Sequence, residues 1–94
     1  SPKDPDFYQG LGNVFLDLDR NEEAIETYHR ATTLDPQGAG PYIGLGSALK
    51  NLHRNKEAIK AYRKFITLAD RYRDGDLIQT ARELIVDLQK EEVG

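Results

Sequence analysis

Ninety-four residues with 16 acids and 13 lysines and arginines, net charge −3, make one small domain at most and exert no general pull on nucleic acid. The absence of cysteine excludes disulfides and thiolate metal sites, and it leaves the compartment undecided, with the cytoplasm slightly favoured. No apolar run approaches the ~20 residues that a membrane-spanning helix needs, and no signal-peptide pattern is visible.

The first apolar series is Phe7, Tyr8, Leu11, Val14, Phe15 and Leu18. Its steps of three and four describe one broad face of a helix over roughly 5–18. Asp19-Arg20-Asn21 breaks that helix, and Asn21 is the expected N-cap of the next. Glu22 and Glu23 then fall in a first turn, where acids suit the helix dipole. Ala24, Ile25, Tyr28, Ala31 and Leu34 continue at helical spacing until Pro36 and Gly38 end the pattern. Two helices of this length joined by a tight turn make an antiparallel hairpin. Gly10 and Gly12 lie inside the first helix, where a glycine costs roughly 1 kcal/mol relative to alanine. Close helix crossing is the simplest reason to keep them.

The same series returns 34 residues later. Tyr8, Gly10-Leu11-Gly12, Arg20-Asn21, Glu23-Ala24-Ile25 and Tyr28 become Tyr42, Gly44-Leu45-Gly46, Arg54-Asn55, Glu57-Ala58-Ile59 and Tyr62. Ungapped alignment of 5–38 with 39–72 gives 13 identities in 34 positions. A fixed period of this size marks stacked helical units. Pro41 suits the first turn of its helix. Phe65 stands where the first unit has Ala31, and Asp70 where it has Pro36. Without that proline, the second helix of this unit is expected to run on to about Tyr72. Both changes suit the last full unit of an array.

In the tail, Asp74-Gly75-Asp76 makes a turn and N-cap. Leu77, Ile78, Ala81, Leu84, Ile85 and Leu88 then form an apolar stripe, while Arg82, Glu83, Asp87, Gln89 and Lys90 occupy the other faces. This predicts a helix over 73–94 that covers the second unit and ends the stack. Its polar face lacks the lysine and arginine excess of membrane-surface helices.

Tyr8-x2-Leu11-Gly12-x2-Phe15, followed by Ala24-x3-Tyr28, Ala31 and Pro36, resembles the tetratricopeptide repeat (TPR). Tyr8 replaces the usual tryptophan, and Asp19 stands where the family usually has a glycine between the helices. The resemblance implies an all-α right-handed superhelix: repeat 5–38, repeat 39–72 and a C-terminal capping helix, within a single domain 1–94. It also implies a non-catalytic scaffold that holds a peptide or protein segment in a concave groove lined by the first helix of each hairpin. The groove residues expected by position are Gln9, Asn13, Leu16 and Asp17, then Ile43, Ser47, Lys50 and Asn51, and from the tail Leu77, Ala81 and Leu84. Some family members grip a C-terminal carboxylate with a clamp of lysine, asparagine and arginine. At the matching places stand Gln9, Asn13, Gly44, Asp74 and Ile78, of which Asn13 alone fits, so chaperone tails are disfavoured.

Catalysis and cofactors find no support. Gly10-x-Gly12 and Gly44-x-Gly46 lack the third glycine and preceding strand of a dinucleotide motif. His29 and His53 stand in different elements with no metal-ligand pattern, and no nucleophile, base and orienter come together. Charge is segregated: residues 5–38 carry net −5, 39–72 net +5 and 73–94 net −3. Adjacent units that attract one another explain this most simply. A basic face of Lys56, Lys60, Arg63 and Lys64 is the sharper reading, and nucleic-acid binding through it the least favoured one. Self-association is the main alternative to peptide capture. The lack of methionine and the placing of Pro2, 34 residues before Pro36, lead us to expect the C-terminal end of a longer array. Phe7, Val14 and Leu18 would then meet a preceding repeat, and the isolated chain would pair with a second copy through its first helix.

Overall fold

The computed structural model describes residues 3–93. Pro2, read above as the closing proline of a preceding repeat, lies outside them. Within the described residues are five helices and no strand: α1 (Pro5–Asp17), α2 (Asn21–Leu34), α3 (Gly40–Asn51), α4 (Asn55–Leu68) and α5 (Gly75–Val93). α1 packs on α2, and α3 on α4, as two hairpins. α2 packs on α3 and α4 on α5, so each second helix is sandwiched, and α1 also touches α3. This is an all-α helical-repeat superhelix.

The hairpin turns are built twice in the same way. The Arg20 amide donates to the Phe15 carbonyl (2.8 Å), and the Asp19 amide to that of Leu16 (3.0 Å). Thirty-four residues on, Arg54 donates to Leu49 (2.9 Å) and His53 to Lys50 (2.9 Å). This paired closure of a helix C-terminus requires a left-handed residue, usually glycine. Here Asp19 (φ 59°) and His53 (φ 60°) adopt that conformation.

The starts of α2 and α4 correct one expectation. Arg20 and Arg54 occupy the N-cap positions, and neither helix has a side-chain cap. Asn21 is already helical and buried. Its amide turns back to Asp19 Oδ1 (3.0 Å), and its Oδ1 accepts from Asn51 Nδ2 (3.0 Å) on α3. Each cap arginine instead forks onto a glutamate three residues on. Arg20 Nε and Nη2 each reach Glu23 at 2.6 Å, and Arg54 reaches Glu57 at 3.0 and 2.8 Å.

α4 stops at Leu68, short of Tyr72. Ala69 turns extended (φ −70°, ψ 150°). The Asp70 carboxylate then accepts from the amides of Tyr72 (2.8 Å) and Arg73 (3.2 Å), and Asp74 Oδ2 accepts from the Asp70 amide (3.0 Å). An aspartate that satisfies backbone donors locally competes with helix continuation. Asp70 thus ends the helix by a different route from the proline it replaces. The same donors hold its carboxyl below the usual range.

The core runs along α2, α3, α4 and α5, with Tyr28, Tyr62 and Leu88 its largest fully buried side chains. Glycines govern how closely the helices approach. A Cβ on Gly12 would stand 2.6 Å from the Tyr28 ring, and one on Gly46 2.6 Å from the Tyr62 ring. Gly44 faces the Tyr28 hydroxyl, so that tyrosine fills space left by glycines in both hairpins. Gly10 departs from the expectation, because nothing lies within 4 Å of its would-be Cβ. On α5, Ile78, Ala81, Ile85 and Leu88 are buried, whereas Leu77 stays half-exposed.

Candidate functional site

The first-helix face is built from side chains that the core ties down. Tyr28 donates its hydroxyl proton to Asn13 Oδ1 (2.5 Å). In the next hairpin, Tyr62 and Ser47 share a hydrogen bond of 3.1 Å at the matching positions, while Ser47 Oγ also donates to the Ile43 carbonyl (3.2 Å). Burial and the nearby negative charge of Asp17 push the Tyr28 phenol up to about 12. Burial raises Tyr62 as well, opposed by its bond to Ser47. Both phenols therefore stay protonated at neutral pH and serve as fixed struts beneath the surface.

The sequence-expected residues divide into three groups. Asn13, Asp17 and Asn51 are exposed, and Ser47 and Lys50 half-buried, along α1 and α3. Gln9, Leu16 and Ile43 are half-buried. Leu16 and Ile43 pack against the core, and the Gln9 amide fills the space beside Gly40 at the start of α3. On α5, Leu84 packs against the core and Leu77 is exposed. Ala81 is fully buried, so it belongs to the packing of α5 and cannot line a surface. Its place midway along the Ile78–Leu88 stripe explains this, because a small side chain there lets the helix sit close.

Asn13 and Asn51 keep complementary capacity. Tyr28 takes Asn13 Oδ1, which leaves the Nδ2 donors open. Asn21 takes Asn51 Nδ2, which leaves Oδ1 open as an acceptor. An extended peptide backbone presents carbonyls and amides that such a pair can meet.

A family model described as TPR repeat matches residues 12–53, and one described as tetratricopeptide repeat matches residues 39–72. The chain belongs to the tetratricopeptide repeat family. No curated protein matches it. Tetratricopeptide repeats are non-catalytic units that mediate protein–protein interaction. Among the described residues of this tetratricopeptide chain, no helix is long and apolar enough to cross a membrane.

The structure also opens a groove of about 570 Å³ on the other side of the tetratricopeptide stack, between α2 and α4. Its floor is Ile25, Tyr42, Leu45, Leu49 and Ala61, and Lys60, Arg63 and Lys64 stand on the α4 wall. Sequence reading singled out those three cations but supplied no apolar floor beside them, and it grouped them with Lys56, which does not line the groove. The missing signal was spatial: Ile25 and Leu49 belong to different repeats. The Asn21–Asn51 bond was missed for the same reason.

Proposed function

We propose that this chain is a non-catalytic scaffold that binds a peptide or protein segment along the face of α1 and α3, with residues 1–94 acting as one module. One observation carries the reading. Asn13, Ser47 and Asn51 are hydrogen-bonding side chains on a surface, each held in one geometry by a buried or part-buried partner. Groups fixed before binding lose little entropy when a ligand arrives. Asp17 and Lys50 flank them with opposite charges, which suits a mixed polar segment better than a membrane or a nucleic-acid backbone. Leu77 and Leu84 extend the surface with apolar area at the α5 end. A random-peptide library displayed against the chain tests the reading. Recovered peptides that still bind Lys60→Glu should lose about tenfold or more in affinity on Asn13→Ala with Asn51→Ala, about 1.4 kcal/mol or more, while the helical circular dichroism is retained. Undiminished affinity in that double variant would refute it.

A second reading, that the chain stacks on another copy through α1, is favoured by Gly10. Its counterpart Gly44 makes room for a tyrosine of the preceding hairpin, whereas the space at Gly10 is open. Phe7, Val14 and Leu18 on the same helix are 49, 52 and 60% exposed, enough to form an apolar interface. Sedimentation across a wide concentration range should show association that Phe7→Glu with Val14→Glu abolishes. A wild type that stays monomeric when concentrated rules this reading out.

A further inference from the structure

We infer that the groove between α2 and α4 is a second binding site, on the opposite side from the first-helix face, for an acidic peptide segment bearing a bulky apolar side chain. The apolar floor is half-open at Ile25 and Tyr42, and a volume of about 570 Å³ is within the range of small-ligand sites. The charges on its α4 wall argue for an anionic partner. Glu57, the acid on that wall, is already forked by Arg54. Lys60, Arg63 and Lys64 form no ion pair within the described residues.

Comparison with the first repeat shows that this imbalance is particular to the second. The equivalent surface there is floored by Tyr8, Leu11 and Phe15 and carries Glu23, Glu26 and Arg30. Every one of those charges is matched internally: Glu26 pairs with Arg30 at 3.8 Å, and Glu23 with Arg20. Lys60 replaces Glu26, and Lys64 replaces Arg30, so a matched pair one helical turn apart becomes two like charges that repel. The uncompensated cations sit beside apolar floor residues, where a carboxylate-rich segment would neutralise them while its apolar side chain fills the groove.

A peptide fits better than nucleic acid or an anionic bilayer. The floor is mainly aliphatic, whereas single-stranded nucleic acid is held by stacking on aromatic faces. The unpaired cations lie on α4 alone, and α2 lines the groove with Ile25 and His29, so no basic track continues across it for an extended polyanion.

The test uses fluorescence anisotropy of a labelled synthetic dodecapeptide in which glutamates flank a central leucine–phenylalanine pair. Lys60→Glu, which copies the first repeat's arrangement, is the decisive variant, because it restores a matched pair on α4. The melting temperature should hold or rise while peptide affinity falls about tenfold. Replacing the leucine and phenylalanine of the probe by serine should weaken binding comparably. Asn13→Ala with Asn51→Ala should leave it unchanged, which separates this site from the first-helix face. The inference is overturned by absence of saturable binding, by equal affinity in Lys60→Glu, or by equal affinity of the serine peptide. Tighter binding of a twelve-residue oligothymidine or of phosphatidylserine vesicles than of the peptide overturns it too.

Discussion

The Tyr28 hydroxyl lies where a Cβ on Gly44 would project, across the boundary between one hairpin and the next. The ring of the same tyrosine fills the space left by Gly12 within its own hairpin. One buried side chain therefore sets both the intra-repeat and the inter-repeat approach. Alanine at Gly12, Gly44 or Gly46 should cost about 1–3 kcal/mol, because the inserted methyl meets a buried ring that has little freedom to shift. Gly10→Ala should instead stabilise, by up to about 1 kcal/mol, since its site is open and alanine is the better helix former. Urea titrations of the four variants check this. Equal behaviour of Gly10→Ala and Gly44→Ala would show that Tyr28 does not set the spacing.

Left-handed Asp19 and His53 give a second expectation. A non-glycine residue there costs roughly 1–2 kcal/mol, part of which glycine returns to the unfolded chain as entropy. His53 is exposed and makes no side-chain bond, so His53→Gly should raise the melting temperature. A β-branched His53→Val should lower it. Asp19→Gly should gain less, because it also loses the bond from Asn21. Identical melting of the glycine and valine variants at 53 would contradict the strained turn.

The tyrosine struts predict an alkaline transition. Folding raises the Tyr28 phenol to about 12, from near 10 in an unfolded chain. The protonated form is thus favoured by the fold. Its contribution is complete below pH ~10 and is lost as pH climbs through the folded value. Absorbance at 295 nm should follow the ionisation of the phenols. The last phenols should ionise only together with loss of helical circular dichroism. Tyr28→Phe should reduce the late step to the share of Tyr62, the other buried phenol, while costing about 0.5–1.5 kcal/mol for the lost hydrogen bond.

Much of this architecture was legible in the residues. The 34-residue recurrence located both hairpins, and the steps of three and four in the tail located α5, because repeated apolar periodicity is a local signal. What stayed hidden depended on neighbours in space. Asn21 looked like an N-cap, yet it is drawn into the core edge by Asn51, thirty positions away. Asp70 looked permissive for a longer helix, but its carboxylate captures two loop amides. Ala81 fitted the groove by register, whereas α5 turns it inward. Gly10 and Gly44 are indistinguishable as letters. Only the presence of Tyr28 beside one, and of open space beside the other, separates a packing glycine from a vacant one.

The claim that Asn13, Ser47 and Asn51 form a recognition surface is tested most directly by amide chemical-shift mapping. A library-selected peptide that still binds Lys60→Glu would be titrated into the ¹⁵N-labelled chain. The largest shifts should cluster on Asn13, Asp17, Ser47, Lys50 and Asn51, with the Asn13 and Asn51 side-chain amides among them. Shifts confined to α2 and α4, or to the Phe7–Val14–Leu18 side of α1, would contradict it.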